Sequence, residues 1–304
     1  MKYSTPYKIY MILRCIRLEY YPGYYLYGIA MLLTPTYRLP SLAQITHVIL
    51  ILSFAGAYAM MLNILSDRET DRKISHKQFM AITVDIVGEC NIKVLSIIFA
   101  VTLITVHMMG VLVANTIKDI MVSTLMLAVG MILAYVYSVK PFRTKSRPFL
   151  DLITLYILIF VTQTLYILSI QTMISEFEIN LTLSLSLLWL ASTVIPSQVE
   201  DAPFDRLAGV TTFASTYSSK VVIPLMLVLT LIGGMTSYLS LARLSNAPLL
   251  LLFGLIVIPL TLEAILSLCF LLSKNYSYFR YSSAIEWFVS NASLLLNNIL
   301  SLSR

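Results

Sequence analysis

The sequence predicts an all-α, polytopic membrane protein with about nine transmembrane helices in a bundle around a central cavity. Of its 304 residues, 58% are hydrophobic and only 12% are charged, which is more apolar surface than a soluble domain of this length needs. The apolar residues recur in segments of roughly 20 residues, the length at which a helix crosses a bilayer. Composition and segment length together therefore predict the fold class.

The segment from Lys2 to Glu19 differs from the rest of the chain, because it is amphipathic and basic. Such a segment is expected to lie along the membrane surface before the chain turns inward. The nine predicted spans lie at 20–37, 43–64, 92–114, 119–138, 150–173, 179–197, 221–242, 247–273 and 283–302.

The basic residues are unevenly distributed between the two ends of these spans. Most of the 21 lie in the N-terminal segment and in the loops after spans two, four, six and eight. The positive-inside rule places that side in the cytoplasm, in a multi-pass cell-membrane protein. The loop from Lys140 to Arg147 lies on this side, and topology or phosphate binding would explain its charge equally well.

The net charge of +6 could suggest a nucleic-acid partner. The basic residues are instead placed between apolar spans, where they set topology and meet anionic lipid or substrate. Cys15, Cys90 and Cys269 are scattered and indicate neither a disulfide framework nor a zinc site. Glu263 lies within a span and has no partner that the sequence reveals.

Two acidic segments stand out, each at the end of an apolar run. Asn63, Asp67 and Asp71 are four residues apart, so a helix would present them on one face. Asp201 and Asp205 repeat this spacing far downstream. Carboxylates are ligands that Mg²⁺ prefers, and the metal completes its shell with water and phosphate. Two such faces closing on one cavity predict a site for Mg²⁺ and a diphosphate.

Both acidic segments read Asp-x-x-x-Asp-Arg, at 67–72 and at 201–206, and each is followed by two further spans. We interpret residues 1–304 as one transmembrane domain. The repetition suggests an internal duplication with halves at about 1–148 and 149–304, and the site would lie where they meet.

At these residues the chain resembles the UbiA superfamily of intramembrane prenyltransferases, as an archaeal-like member with reduced Asp motifs. The family's first motif is usually Asn-Asp-x-x-Asp-x-x-x-Asp. Asn63, Asp67 and Asp71 match it, and Ile64 stands in place of the first Asp.

The second and third family signatures are matched in the same order. The second is usually Asp-x-x-Asp-x-x-x-Asp, in which Asp201 and Asp205 match and Gln198 replaces the first Asp. The third is a Tyr-Ser pair followed by basic residues, ahead of span five. In this chain that signature begins at Tyr137. The order and spacing agree along nearly the whole chain.

The resemblance implies Mg²⁺-dependent transfer of a prenyl group from an isoprenyl diphosphate, such as geranyl, farnesyl or geranylgeranyl diphosphate. The acceptor would be hydrophobic and would enter from the membrane lipid. It implies that Asp67 and Asp71 hold one metal ion, and that Asp201 and Asp205 hold another. The remaining roles are Asn63, Lys140 and Arg143 as diphosphate ligands, Arg17 and Arg206 as weaker ones, and Tyr137 as a donor or as the group that stabilises the allylic cation.

Alternatives remain open from the sequence. A UbiA-type terpene cyclase would ionise the same donor without an acceptor, and a non-catalytic scaffold would show no Mg²⁺-dependent turnover. A secondary transporter would also be polytopic with intramembrane acids. It would be expected to carry broken helices at mid-membrane, whereas these acids cluster at helix ends on one side.

Overall fold

The structure, a computed structural model, describes residues 3–17, 21–34, 39–74, 77–111, 117–171, 174–242, 245, 247–273, 275–276 and 278–302. Every regular element in these ranges is a helix. The first six are α1 (Thr5–Ile16), α2 (Tyr21–Leu33), α3 (Leu42–Asp71), α4 (Gln78–Val87), α5 (Glu89–Val111) and α6 (Ile117–Ser138). Nine more come after them: α7 (Leu150–Leu155), α8 (Thr162–Gln171), α9 (Glu176–Trp189), α10 (Ile195–Ala208), α11 (Phe213–Thr216), α12 (Ser219–Ala242), α13 (Pro248–Leu252), α14 (Ile258–Ser273) and α15 (Tyr278–Ser301).

Three pairs of helices are continuous through π-helical turns. Tyr156–Val161 joins α7 to α8, Leu190–Val194 joins α9 to α10, and Phe253–Val257 joins α13 to α14. A π-helical turn widens the helix locally and changes the direction in which the following side chains point. Each pair therefore crosses the bundle as one continuous helical rod.

Seven helical stretches in the described ranges are long and apolar enough to cross a membrane. They coincide with the second to the eighth predicted spans, and the chain is an integral membrane protein. The seven stretches are Leu42–Asp71, Glu89–Val111, Ile117–Ser138, Leu150–Ile170, Glu176–Ala208, Ser219–Ala242 and Pro248–Ser273.

The first and ninth predicted spans do not meet this criterion, so the count of nine stays a prediction. The first is represented by α2, which has 13 residues, and residues 20 and 35–37 of that span lie outside the described ranges. The ninth is represented by α15, which has 24 residues but buries Glu286, Asn291, Asn297 and Asn298. Its inward face is polar, and this lowers its hydropathy.

Local features of the sequence fix where two of the spans begin and where one ends. Ser41 and Gln44 form a reciprocal capping box at the start of α3, and Ser175 and Glu178 form one at the start of α9. The helix α10 ends before Gly209, which has a φ of 73°. That left-handed conformation is one that glycine adopts without steric cost.

The long helices pack in pairs, α3 against α5, α6 against α8, α9 against α12 and α2 against α15. A small residue allows one of the close approaches. A Cβ added to Gly233 of α12 would lie 2.4 Å from the backbone nitrogen of Leu188 in α9, so only glycine fits there. Small residues at interfaces are the usual means of helix packing in lipid, where hydrophobicity does not favour association.

A separate apolar cluster holds α1 against α3 and α4. Cys15 and Ile16 of α1 pack there with Ile64 of α3 and Val84 of α4. Elsewhere α1 and its N-terminal flank expose large apolar side chains, as expected for a helix at the membrane surface. They are Tyr3, Tyr7, Ile9, Tyr10 and Leu13. This cluster fixes α1 next to the end of α3 that carries the first acidic segment.

Candidate functional site

The first acidic segment lies in the last turns of α3, which continues to Asp71. The helix is therefore longer than the predicted apolar span, which ends at residue 64. Asp67 and Asp71 are buried, with exposed fractions of 1% and 4%. Ile64 is completely buried in the apolar cluster with α1 and α4. Position 64 therefore faces the packing side of α3 and contributes no ligand.

Two cations from the loop between α6 and α7 contact Asp67. The guanidinium Nη2 of Arg143 donates to Asp67 Oδ1 over 2.8 Å, and the Nζ of Lys145 donates to Asp67 Oδ2. Burial opposes the charged form of Lys145, but Asp67, Tyr137 and Asp71 together outweigh it and hold the pKa of Lys145 above its ordinary value. Asp67 is thus neutralised by a pair of cations.

The second acidic segment lies in the last turns of α10. Asp205 is buried and accepts a hydrogen bond of 3.1 Å from the hydroxyl of Thr212. Asp201 is less buried and accepts from the Nζ of Lys77 over 2.7 Å. Lys77 belongs to the loop after the first acidic segment, so this ion pair connects that loop to the second segment.

The two acidic faces therefore converge on one charged cluster at one end of the bundle. The charges of Lys145 and Lys77 both act on Asp71 of α3 and on Asp205 of α10. A further connection runs through the basic loop, where the hydroxyl of Thr211, just after α10, donates to the Ser146 carbonyl over 2.5 Å. Carboxylates from both halves of the chain thus lie near the same two lysines.

The donor atoms of this cluster fit a hard divalent cation. No three carboxylate, histidine or cysteine side chains are grouped as a metal cage in the part of the chain that the structure describes. Mg²⁺ does not require one, since one or two carboxylates beside phosphate oxygens and waters suffice. The amide oxygens of Asn63 and Gln198 are buried and accept no hydrogen bond, so each segment offers an unsatisfied neutral oxygen besides its carboxylates.

Two other predicted site residues, Tyr137 and Arg17, lie near the acidic cluster. Tyr137, at the end of α6, lies among the charges of Lys145, Asp67 and Asp205, which all act on its hydroxyl. Arg17 lies just after α1, and its charge acts on Asp71.

The roles of Lys140 and Arg206 as diphosphate ligands stay predictions. Lys140 is exposed. The lysine of its loop that contacts Asp67, together with Arg143, is Lys145. Arg206 donates to the backbone carbonyls of Ser215, over 2.8 Å, and Ala214, over 3.3 Å. Its guanidinium thereby satisfies carbonyls of the short helix α11.

Sequence reasoning missed three residues of the cluster, Lys77, Lys145 and Asp151. Asp151 is completely buried in the first turn of α7 and accepts from the side-chain amide of Gln198 and the backbone N–H of Phe213. Lys145 had a signal, since it is in the same basic loop as Arg143. Nothing near Lys77 or Asp151 in the sequence indicates the segments that they contact.

Glu263, which the sequence left unassigned, is buried within α14. It accepts a hydrogen bond of 2.6 Å from the hydroxyl of Thr230 in α12. Glu286 of α15 is also completely buried, and the two carboxyl groups act on each other electrostatically. Glu263 thus has partners on two other helices of the second half, and none of them belongs to the acidic segments.

No protein-family model and no curated protein matches the chain. Solved structures match it at low sequence identity. A UbiA homologue from Archaeoglobus fulgidus, bound to GPP and Mg²⁺, has a TM-score of 0.66 and 18% identity, covering 93% of this chain and 99% of that one. A structure of digeranylgeranylglyceryl phosphate synthase has a TM-score of 0.66 and 16% identity, with 96% and 99% covered.

A third solved structure is the apo form of a UbiA homologue from Aeropyrum pernix K1. It has a TM-score of 0.65 and 14% identity, covering 90% of this chain and 97% of the other. The likeness in each case extends over nearly the full length of both chains. The chain therefore has the fold of the UbiA homologues, as the motif resemblance predicted.

Proposed function

We propose that this protein transfers a prenyl group from an isoprenyl diphosphate to a hydrophobic acceptor within the membrane, with Mg²⁺ as cofactor. The observation that carries the proposal is the convergence of the two acidic segments on shared cations. Lys77 joins the loop after the first segment to Asp201 of the second, and Lys145 binds Asp67 while its charge acts on Asp205. Acids for a metal and bases for a phosphate at one helix-bundle end suit a metal-bound diphosphate.

The residues present suit both parts of such a substrate. In this proposal Asp67 and Asp71 hold one Mg²⁺, and Asp201 and Asp205 hold another, with Asn63 beside the first pair. A bound Mg²⁺ supplies neutralisation of the negative charge that develops on the departing pyrophosphate. The basic side chains that now pair with these carboxylates, Lys77, Arg143 and Lys145, would bind phosphate oxygens. Arg17 lies near enough to Asp71 to contribute.

The chemical step requires that the allylic C–O bond break and that water stay away from the cation. The bond's electron pair leaves with the pyrophosphate, and a nucleophilic atom of the acceptor forms the new bond to the same carbon and loses its proton. The ring of Tyr137 would face the positive charge through its quadrupole or donate to an oxygen. The apolar core beneath the cluster would exclude water from the cation.

The acceptor is proposed to be hydrophobic and to enter from the bilayer, because the spans that enclose the cluster are apolar. A quinone precursor, an isoprenoid glycerol lipid and a carotenoid end fit this description. The likeness to digeranylgeranylglyceryl phosphate synthase makes the isoprenoid glycerol lipid the first to test. The solved neighbours bound to GPP and to DMAPP support an isoprenyl diphosphate as donor.

We also propose that the clustered end of the bundle faces the cytoplasm and that the protein resides in the cell membrane. The basic residues of the α6–α7 loop are at that end, in agreement with the positive-inside rule. A phosphorylated donor made in the cytoplasm would reach the site without crossing the bilayer.

The test is direct product analysis with purified protein in lipid nanodiscs. The protein is incubated with geranylgeranyl diphosphate, Mg²⁺ and a lipid extract of the source organism, and lipids heavier by one prenyl unit are sought by mass spectrometry. Asp67→Asn and Asp205→Asn are expected to abolish the product. Asp85→Asn is the matched control, because Asp85 is a carboxylate of α4 that pairs with Arg68 and Arg72 outside the cluster.

The outcomes separate the candidate functions. A prenylated lipid that requires Mg²⁺ supports the transferase. Pyrophosphate release with a cyclised hydrocarbon and no prenylated lipid would assign the protein to the cyclases. Full activity of Asp67→Asn would refute the metal assignment, and a product formed only with a water-soluble aromatic acid would refute the hydrophobic acceptor.

A further inference from the structure

Asp151 is a buried carboxylate that the metal and diphosphate assignments leave without a role. It lies in the first turn of α7, completely buried, and its oxygens accept three hydrogen bonds. Leu152 N donates to Oδ1 over 2.8 Å, Phe213 N donates to Oδ2 over 2.8 Å, and Gln198 Nε2 donates to Oδ2 over 3.0 Å. The last of these bonds reaches across to the acidic segment of α10.

This bond determines which way the amide of Gln198 points. A carboxylate can only accept, so the amide must turn its NH₂ group toward Asp151, since the opposite orientation would place oxygen against oxygen. The amide oxygen Oε1 therefore points away from Asp151. It is buried and accepts no hydrogen bond, in a side chain that is 8% exposed. A buried oxygen with this free acceptor capacity is suited to bind an ion or a water molecule.

The position of Gln198 puts this oxygen beside the acidic cluster. Gln198, Asp201 and Asp205 are spaced i, i+3 and i+7, which places them on one face of α10. Thr212 donates to Asp205, and its neighbour Phe213 donates to Asp151. Asp151 and Asp205 both act on Tyr137. The oxygen therefore belongs to the same group of side chains as the second acidic segment.

We propose that Asp151 is a positioning residue that fixes the Gln198 amide, so that Oε1 serves as a neutral oxygen ligand for a divalent cation held at the second acidic segment. This inference rests on the proposed function, since it requires that Asp201 and Asp205 hold a metal ion. It explains how the chain keeps an oxygen ligand where the family motif has a carboxylate. It also gives Asp151 a role that a purely structural carboxylate would not have.

The test measures metal binding without turnover. The protein in nanodiscs is saturated with geranyl thiodiphosphate, an unreactive donor analogue, and titrated with Mn²⁺, whose free concentration is followed by electron paramagnetic resonance. Asp151→Leu, which can accept no hydrogen bond, and Gln198→Met are each expected to raise the Mn²⁺ dissociation constant about 10- to 100-fold, the usual effect of losing an orienting partner or ligand. Asp119→Asn is the matched control, since Asp119 is buried in α6 about 27 Å along the helix from Tyr137.

A double mutant distinguishes positioning from general support of the fold. If Asp151 acts through Gln198, then Asp151→Leu adds nothing to Gln198→Met, and the double variant binds Mn²⁺ as Gln198→Met does. If the two effects multiply, Asp151 acts independently of Gln198 and the inference is wrong. Gln198→Met keeps the bonds of Asp151 to Leu152 and Phe213, so it decides the ligand role even where Asp151→Leu folds poorly.

The ligand role of Gln198 and the proposed function can fail separately. Unchanged Mn²⁺ affinity of Gln198→Met, with wild-type protein binding Mn²⁺ and the analogue together, overturns the inference and leaves the proposed function standing. Absence of Mn²⁺ binding by the wild-type protein in the presence of the analogue overturns the proposed function itself.

Discussion

Replacing Lys145 with methionine separates the two roles that the basic loop would play. Lys145 and Arg143 both contact Asp67, whose side chain is 2% exposed. Methionine keeps much of the length of the lysine stem but removes the charge. Asp67 keeps its bond to Arg143, so no buried carboxylate is left unpaired, which is the change that strongly destabilises a protein. We expect Lys145→Met to fold and to change ligand binding in two opposite directions.

The size of each change can be worked out from the bonds involved. A hydrogen bond to a charged group contributes about 1.5–3 kcal/mol, and each ~1.4 kcal/mol is about tenfold in affinity. Losing the Lys145 contact to a phosphate oxygen should therefore weaken donor binding about 10- to 100-fold. Without donor, Lys145 competes with the metal for Asp67. Its removal should tighten the binding of Mn²⁺ alone, by up to about tenfold because Arg143 still competes.

The assay is a pair of titrations on each variant, Mn²⁺ alone and geranyl thiodiphosphate at saturating Mg²⁺. Lys140→Met is the matched control, because Lys140 lies in the same loop but is exposed. It should shift both affinities much less than Lys145→Met. The reasoning is refuted if Lys145→Met weakens the binding of Mn²⁺ alone, or if Lys140→Met weakens donor binding more than Lys145→Met does.

Three further predictions test the surroundings of the site. Ile64→Asp would introduce the usual family residue, but it would bury an unpaired charge in the α1–α3–α4 cluster. It should therefore destabilise the protein by about 3 kcal/mol or more and should not raise activity. Thermal unfolding tests this, with Ile64→Val as the control. Burial opposes the charged form of Asp85, but Arg68 and Arg72 outweigh it and hold the pKa of Asp85 below its ordinary value. The stabilisation is therefore present above about pH 4 and lost as pH falls through the folded value, so α4 amides should exchange hydrogen faster at about pH 3 than expected from chemistry alone, and Asp85→Asn should abolish the difference. In a cysteine-free background, Ser146→Cys should be labelled by an impermeant reagent only from the cytoplasmic side and Lys118→Cys only from the other, and labelling of both from one side would contradict the topology.

The acidic faces could be predicted because helical spacing is a local property. Asn63, Asp67 and Asp71 recur every four residues, and α3 continues as a helix through all of them. The predicted span ended at residue 64, because hydropathy falls where the charged residues begin. Hydropathy marks where the apolar span ends and does not mark where the helix ends, and the spacing of the acids correctly predicted that the helix continues to Asp71.

The partners of these acids could not be predicted, because they depend on long-range packing and loop conformation. Lys140 and Lys145 are equally basic in the sequence, and the loop between α6 and α7 decides which one turns inward. Arg143 in that loop has a φ of 34°, a conformation that residue type alone does not indicate. The contact of Asp151 with Gln198 joins positions 47 residues apart, and no local pattern marks it.

The ninth span shows the opposite limitation. Its length predicts a helix, and α15 is one, but its hydropathy does not show which face is buried. The structure buries Asn298, which donates to the carbonyl of Ala30 and the hydroxyl of Thr34 in α2, both over 2.9 Å. In lipid, polar side chains gain by turning toward other helices, so a polar stripe indicates the buried face. An average over the whole segment cannot distinguish the two faces.

The charge of the cluster suggests how the substrate would have to arrive. The carboxylates of Asp67 and Asp201 are already paired with lysine, and Asp67 also with Arg143. A metal ion alone must displace these cations from the acids, and a diphosphate alone must approach buried carboxylates of its own sign. Together, the metal takes the acids and the phosphate takes the bases, so neither set of charges is left unpaired in a buried place. We infer that metal and diphosphate bind far more tightly together than either does alone. Titrating Mn²⁺ with and without geranyl thiodiphosphate would measure this cooperativity in wild-type protein and in Lys145→Met, where the loss of one competing cation should reduce it.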